Sequence, residues 1–472
     1  MFNKSYPRIV FAGLSGDSGK TVVTCGFAAS LKEMGLNVTA FKKGPDYIDA
    51  AWLSLVSGKP ARNLDTYLMG FPKVKNSFLK NAANGDISLV EGNRGLFDGV
   101  DSMGTHSTAE LAKLLKAPVI IVQNLTKVTR TAAATILGCT KLDPDLNIAG
   151  VILNQVAGER HLKVAKEAIE DATEIPVLGA IPKLKNDYVL PSRHLGLITP
   201  DEFTRKHGFI SDLRIIIEDN VDIPKVISLA NSLPFIDFNE NNIEREIDSG
   251  GETVRIGYFR DASFSFYYPE NLEMLDVAGA ELVPISAVDE NDLGELDAVY
   301  IGGGFPETNL TQLELNRGLM HSLKNLVEEG LPIYAECGGL IYLARDIEWE
   351  NKSYSLAGIL PINIKMKEKP QGHGYYRAVV DSENPFFKVG TQINGHEFHY
   401  SEIYDFDEKL NSALSVIRGN GSFNKRDGLT YKNVFASYLH IHALASPEWV
   451  DGMMSSARKF KNIKKTKTII EG

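Results

Sequence analysis

From residue 8 onward, short apolar runs alternate with longer stretches of helical periodicity. The runs at 9–12, 87–91, 119–123 and 148–154 are nearly continuous apolar segments, the pattern of strands buried on both faces. Stretches at 21–34, 108–115 and 131–141 lie between them and space their apolar residues as a helix does. Strands joined through helices connect by crossovers, which imposes a parallel, doubly wound sheet. The strand-like segment 175–181 closes this part near Pro182. After residue 253 the alternation restarts at 254–259, 298–301 and 332–335, predicting a second α/β domain. The stretch between them is polar and acidic and ends on Gly250-Gly251, the composition of a linker. A chain of 472 residues carries two to three domains. The expected division is a first domain over 1–235, a linker over 236–253, a second domain over 254–458 and a basic tail over 459–472. The lysines of that tail (Lys459, Lys461, Lys464, Lys465 and Lys467) read as a solvated, frayed end.

The formal net charge of −10 gives a nucleic-acid partner no electrostatic support. No run of about 18 apolar residues occurs, so no membrane span is expected. The start of the chain has no charged-then-apolar signal segment. Cys25, Cys139 and Cys337 sit in unrelated contexts without a CxxC pair, which fits a reducing cytoplasm and excludes a disulfide framework.

The first strand runs into Gly13-Leu14-Ser15-Gly16-Asp17-Ser18-Gly19-Lys20-Thr21 and then a helix. Such a loop turns backbone N–H groups toward phosphate oxygens and adds the positive end of the helix dipole. Gly16, Ser18, Gly19, Lys20 and Thr21 are therefore candidate ATP-binding residues, with Lys20 for the outer phosphates and Thr21 for Mg²⁺. Strict spacing wants glycine at position 14, and here Gly13 sits one place early. ATP chemistry needs Mg²⁺ across the phosphates, so strand-end acids are sought. Asp46, in Lys42-Lys43-Gly44-Pro45-Asp46, and Glu91, ending the run 87–91, are the candidates beside Thr21. Asn154 closes another strand, where some P-loop proteins bind a purine ring.

In the second half, Glu336-Cys337-Gly338-Gly339 leads from an apolar strand into an apolar helix. A cysteine on such a turn is expected to be exposed at the helix N-terminus, where the dipole favours thiolate. Cys25 and Cys139 lack this setting and read as small buried hydrophobes. Tyr438-Leu439-His440-Ile441-His442 supplies a base, and on a strand the two histidines face opposite ways, so one serves. A Cys/His pair attacks a carboxamide carbon, forms a thioester and releases ammonia. Gly303 and Gly304 of the Gly302-Gly303-Gly304 turn, with Gly338, are the candidate oxyanion donors.

With both centres in view, the chain resembles the cobyrinate a,c-diamide synthase family over nearly its whole length. The resemblance is carried by GDSGKT (16–21), FKKGPDYID (41–49), RNLDTYLMG (62–70), EGNRGLFDG (91–99), ERHL, GVILN, RHLGL (193–197), DASFSFYYPENL (261–272), YIGGGFPE, AECGGL, GHEFHYSE (395–402) and SYLHIH, in that order. It implies an N-terminal synthetase domain similar to dethiobiotin synthetase and a C-terminal class I glutamine amidotransferase domain. Cys337 matches the family nucleophile and His440 the histidine that activates it. The family resembles a Cys/His dyad, without the His-x-Glu of other class I enzymes, and here His442 stands two places after His440. The implied substrates are a tetrapyrrole acid, glutamine and ATP, with Mg²⁺. Lys43, Tyr47, Ile48, Asp49 and Asp98 are expected to orient the macrocycle's carboxylates, and a homodimer is compatible with this reading.

Asn93-Arg94 stands where many relatives carry smaller apolar residues, and a related family that amidates nickel-sirohydrochlorin shares nearly the same motifs, so both macrocycles stay open. A partitioning-type P-loop ATPase would carry a lysine where this chain has Ser15, and would need no glutaminase half.

Overall fold

The computed structural model describes residues 6–184, 192–193, 196–234, 236 and 251–471. The chain divides into two compact units, Met1–Ile243 and Glu244–Gly472. The expected linker, 236–253, lies almost wholly outside the described residues, as does part of the RHLGL stretch.

The first unit is built on β1 (Arg8–Gly13), β2 (Val38–Lys43), β3 (Arg62–Leu64), β4 (Ile87–Gly95), β5 (Val119–Asn124), β6 (Ile148–Val156) and β7 (Val177–Pro182). They form one sheet in the order β3-β2-β4-β1-β5-β6-β7, every neighbouring pair parallel. The crossovers are α1 (Lys20–Glu33), α2 (Tyr47–Ser57), α3 (Thr66–Ala82), α4 (Thr108–Leu114), α5 (Arg130–Leu142) and α6 (Glu159–Thr173). All six residues of β1 are buried, as an apolar strand between two helical layers requires.

The sheet ends at β7, as the apolar runs predict, but the unit does not. Beyond a two-residue pair, β8 (Ser192–Arg193) with β9 (Gly196–Leu197), come α7 (Lys206–Asn220) and α8 (Ile223–Asn231). Phe209, Leu213 and Ile217 of α7 join Phe27, Leu31 and Trp52 in one core. The approach to α1 is close at Gly26, where a Cβ would stand 2.7 Å from the Leu213 carbonyl oxygen.

In the second unit, β10 (Val254–Phe259), β11 (Ala280–Ile285), β12 (Ala298–Ile301) and β13 (Ile333–Glu336) are parallel. Helices α9 (Pro269–Val277), α10 (Leu310–Leu315), α11 (Arg317–Glu329) and α12 (Gly338–Leu343) separate them or follow them. A smaller four-stranded sheet holds β14 (Asp346–Trp349), β15 (Lys352–Ser355), β16 (Ile362–Met366) and β19 (Ser401–Phe406). The main sheet continues through β17 (Gly372–Val380), β18 (Gln392–His399), β20 (Asn411–Arg418), β21 (Arg426–Tyr431), β22 (Val434–Ser437) and β23 (His440–Ile441). Its order is β11-β10-β12-β13-β22-β21-β20-β17-β18-β23. The first five strands run parallel and the rest pair antiparallel. That antiparallel half is not legible as alternating strands and helices, because no crossover helices separate its strands.

The basic tail is corrected: α13 spans Pro447–Glu471. Phe460 is buried, Lys461 and Lys465 pair with Glu252, and Lys464 lies 3.0 Å from Asp297. An apolar side chain on the inner face fastens a segment whose charges suggest a loose end.

Candidate active sites

The phosphate loop is made by close contacts that only small residues permit. Gly19 has φ 86° at the start of α1, and a Cβ on it would stand 2.1 Å from Asn154 Nδ2. A Cβ on Gly13 would collide with Ser18 Oγ, so the displaced glycine still serves the turn. Gly16 has open space around it, leaving its backbone accessible. Lys20 folds over the loop, its Nζ donating to the carbonyl oxygens of Ser15 at 3.1 Å and Arg94 at 3.0 Å. Burial and then Lys42 lower its pKa. Asn154 Nδ2 donates to the Ser18 carbonyl at 2.9 Å, and its Oδ1 accepts from the Gln155 N–H, so the side chain braces the loop in this structure.

Thr21 Oγ1 donates to Glu91 Oε1 at 2.9 Å, bringing together two of the three expected Mg²⁺ ligands. A residue missing from the sequence-derived site stands beside them. In the parallel register of β2 and β4, Lys42 is opposite Glu91. Lys42 Nζ donates to Glu91 Oε1 at 2.8 Å and to Asp49, and lies 3.9 Å from Asp46. Burial alone would lower the Lys42 pKa, but Asp49, Glu91 and Asp46 outweigh it and hold the ammonium charged. Glu91 is pushed up to about 7, first by burial. Asp46 is raised to about 6 by burial and Asp49, while its carboxylate caps α2 by accepting from the Asp49 N–H at 2.9 Å.

The expected macrocycle-binding residues divide. Asp49 is taken up by Lys42, and Ile48 packs against the core of the first unit. Tyr47 opens α2. Asp98 Oδ2 accepts from the Gly95 N–H at 2.8 Å and closes the turn after β4. Lys43 is buried at the end of β2, its pKa lowered by burial against the opposing pull of Asp65.

In the second unit the order of the parallel strands assembles the thiol site. Ile301 of β12 is level with Ala335 of β13, and Glu336 of β13 with Ser437 of β22. The Gly302–304 turn, Cys337 and the segment leading to His440 therefore leave neighbouring strands at the same end. Cys337 forms a sharp elbow with φ 48° and ψ −97°, and its N–H donates to the Ser437 carbonyl at 2.7 Å. A Cβ on Gly338 would lie 3.0 Å from Gly304 N, and a Cβ on Gly303 would stand 2.4 Å from His440 Cε1. Gly304 has φ 155° and no room for a side chain against the Ser263 carbonyl. The predicted set Cys337, Gly303, Gly304, Gly338 and His440 is thus brought to one place.

One expectation is overturned. The thiol is not exposed: Cys337 is 6% accessible, and its Sγ lies 3.7 Å from the Phe398 carbonyl oxygen. Burial, then Glu307, drives its pKa up. A six-residue helix offers a small favourable dipole term, and loss of water opposes the charged form more strongly.

The two histidines separate as strand alternation predicts. The His440 ring stacks on His396 with centroids 4.8 Å apart, and Nδ1 lies 3.6 Å from Glu336 Oε2. His396 is kept neutral, its pKa driven down by burial and then by His440. His442 packs against Tyr268 instead, with Nε2 3.6 Å from Glu270. Glu336 and His396 were absent from the expected site. The only sequence signal for Glu336 is an acid ending a buried strand.

A phosphate loop with a buried acid beside it, midway along β4 and not at its end as the apolar run suggested, followed by a cysteine elbow on a largely parallel sheet, defines a nucleotide-binding domain joined to a glutamine amidotransferase domain. Residues 9–198 match the CobQ/CobB/MinD/ParA nucleotide binding domain, and residues 255–448 the CobB/CobQ-like glutamine amidotransferase domain. A cobyrinate a,c-diamide synthase of Magnetococcus marinus is 42% identical over 94% of this chain and 95% of its own length. Proteins of the same name from Listeria innocua and Methanobrevibacter smithii are 39% and 38% identical over 96% of this chain, and over 100% and 99% of their own lengths. The chain belongs to the cobyrinate a,c-diamide synthase family.

Proposed function

We propose that this protein uses ATP and glutamine to amidate the a and c acetate carboxylates of cobyrinate, giving cobyrinate a,c-diamide in cobalamin biosynthesis. The observation that carries this reading is the presence of both reactive centres on one chain whose relatives match it end to end. The Cys/His site makes nitrogen available, and the phosphate loop activates the acid that accepts it.

In this reading Gly16, Ser18, Gly19 and Lys20 hold the triphosphate of ATP, with Asn154 bracing the loop. The donor set suits a hard cation: Thr21 Oγ1 and Glu91 are hydrogen-bonded, and Glu91 Oε2 is buried without a hydrogen-bond partner. Thr21, Glu91 and Asp46 would hold Mg²⁺, which offsets phosphate charge when bound. Lys42 holds Asp49 ionised and partly offsets the burial of Glu91. A substrate carboxylate oxygen attacks the γ-phosphorus, ADP leaves, and an acyl phosphate forms. The same reading assigns Lys43, Tyr47, Ile48, Asp49 and Asp98 to orienting that carboxylate, Asp49 acting through its ion pair with Lys42.

At the second centre the Cys337 proton passes to His440 as sulfur bonds to the glutamine carboxamide carbon. The carbonyl electron pair moves to oxygen, facing the amides of Gly303, Gly304 and Gly338. Collapse breaks the C–N bond, the proton on His440 goes to nitrogen, and ammonia leaves. Water then hydrolyses the thioester to glutamate. Ammonia attacks the acyl phosphate, giving the amide and phosphate. Burial of the resting thiol disfavours a standing thiolate, so a base such as His440 is needed to take its proton. A cytoplasmic location belongs to the same proposal, supported by free cysteines at 25, 139 and 337.

The test offers cobyrinate, hydrogenobyrinate and nickel-sirohydrochlorin in parallel, with ATP and glutamine, and weighs the products. Two successive amide additions to cobyrinate are expected. Amidation of nickel-sirohydrochlorin alone would assign the related activity, and glutamate release without any amide would refute both.

A further inference from the structure

We propose that Glu336, the residue before the nucleophile, is the positioning carboxylate of His440. The inference rests on the reading of Cys337 and His440 as the glutaminase pair and adds a third member to it. The position two after His440, where other class I enzymes carry a glutamate, holds His442. The structure supplies the carboxylate from β13 instead.

Glu336 is fully buried, and its side chain is held on both oxygens. Oε2 accepts from the Tyr300 hydroxyl at 3.0 Å, and Oε1 accepts from the Ile441 N–H at 3.2 Å. Tyr300 is fixed in turn by Asn271, whose Nδ2 donates to the Tyr300 hydroxyl at 3.2 Å and to the Ile441 carbonyl at 3.1 Å. Asn271 Oδ1 also accepts from the Ala443 N–H at 2.7 Å, tying the same framework to the histidine segment. Into this frame projects His440, with Nδ1 3.6 Å from Glu336 Oε2.

A carboxylate stripped of water is retained only where charge or hydrogen bonds compensate it. Neither the phenol nor the amide N–H that binds Glu336 can carry positive charge. His440 can, when it takes the thiol proton. With Nδ1–H directed at Glu336, Nε2 is left as the basic nitrogen, and the imidazolium forms beside an anion already in place. The 3.6 Å contact is longer than a hydrogen bond, as resting catalytic contacts often are, and shortens when the ring is charged. His396, stacked on the ring, fixes its plane.

The test combines kinetics with ¹⁵N NMR of histidine-labelled full-length protein, His440 being assigned by its loss in His440→Gln. Wild-type protein is expected to carry the neutral His440 proton on Nδ1. Glu336→Gln should lower kcat for glutamate release by about 10²–10⁴-fold while KM for glutamine stays within about threefold. Glu336→Asp should recover at least about tenfold of that loss, and Tyr300→Phe should lower kcat by about three- to tenfold. A Glu336→Gln kcat within about threefold of wild type, or a wild-type His440 proton on Nε2, overturns the proposal. If Glu336→Gln does not fold, the wild-type tautomer and Tyr300→Phe decide. Wild-type protein that releases no glutamate, or Cys337→Ser that still does, would instead remove the glutaminase reading beneath it.

Discussion

Lys42 shows how one buried charge can organise several. Its side chain is 1% accessible and meets Glu91, which is wholly buried, and Asp49. Replacing it by methionine keeps most of the volume and leaves those carboxylates without their cation, a loss of about 3–5 kcal/mol. Denaturant unfolding of Lys42→Met checks this, and a loss under about 1 kcal/mol would mean water already screens the cluster. Cys337 makes the opposite case, a group whose charge the fold suppresses. Because burial raises its pKa, the thiol form persists at pH 8 and reactivity grows as pH rises further. Alkylation by iodoacetamide without glutamine is expected to be at least about tenfold slower at pH 8 than for free cysteine. A rate equal to free cysteine would show an accessible thiolate.

At the scale of elements, the thiol site is an arrangement of strand ends. The β12 turn, the β13 elbow and the segment after β22 leave the sheet side by side because those strands are parallel and nearly in register. The glycines between them preserve contact distances. In Gly303→Ala the new methyl would stand 2.4 Å from His440 Cε1, closer than the two can approach, and displace the ring. Glutamate release should fall by about 10²-fold or more, since small misplacements of a catalytic group cost that much. A steady-state glutaminase assay decides, and retained activity would show that the ring relaxes freely. Much of this was legible: the strand, the cysteine and the paired glycines mark an elbow. Glu336 was not, because an acid at a strand end is commonplace and its partners Tyr300 and Ile441 lie 36 and 105 residues away.

For the whole molecule, the proposed division of labour makes two variants fail differently. Lys20→Ala should lose amide synthesis with either glutamine or added ammonia, because the acid is no longer activated. Cys337→Ala should lose synthesis with glutamine and keep it with ammonia. Mass detection of the amide distinguishes the patterns, and Cys337→Ala still working with glutamine would refute the assignment of the nucleophile. Among the described residues no helix is long and apolar enough to cross a membrane, in line with the hydropathy pattern.

The amino-acid sequence alone determined the alternation of strands and helices, the phosphate loop and the glycine-flanked turn that carries Cys337. Those are local properties, written as periodicity and as glycines beside a reactive residue. Only the tertiary structure decided that α7 returns to cover α1, that Lys42 pairs with Glu91 and Asp49, and that the resting thiol is buried. It also decided which surroundings each of His440 and His442 receives. These depend on desolvation and on pairs far apart in the chain, and neither is encoded in the spacing of neighbours.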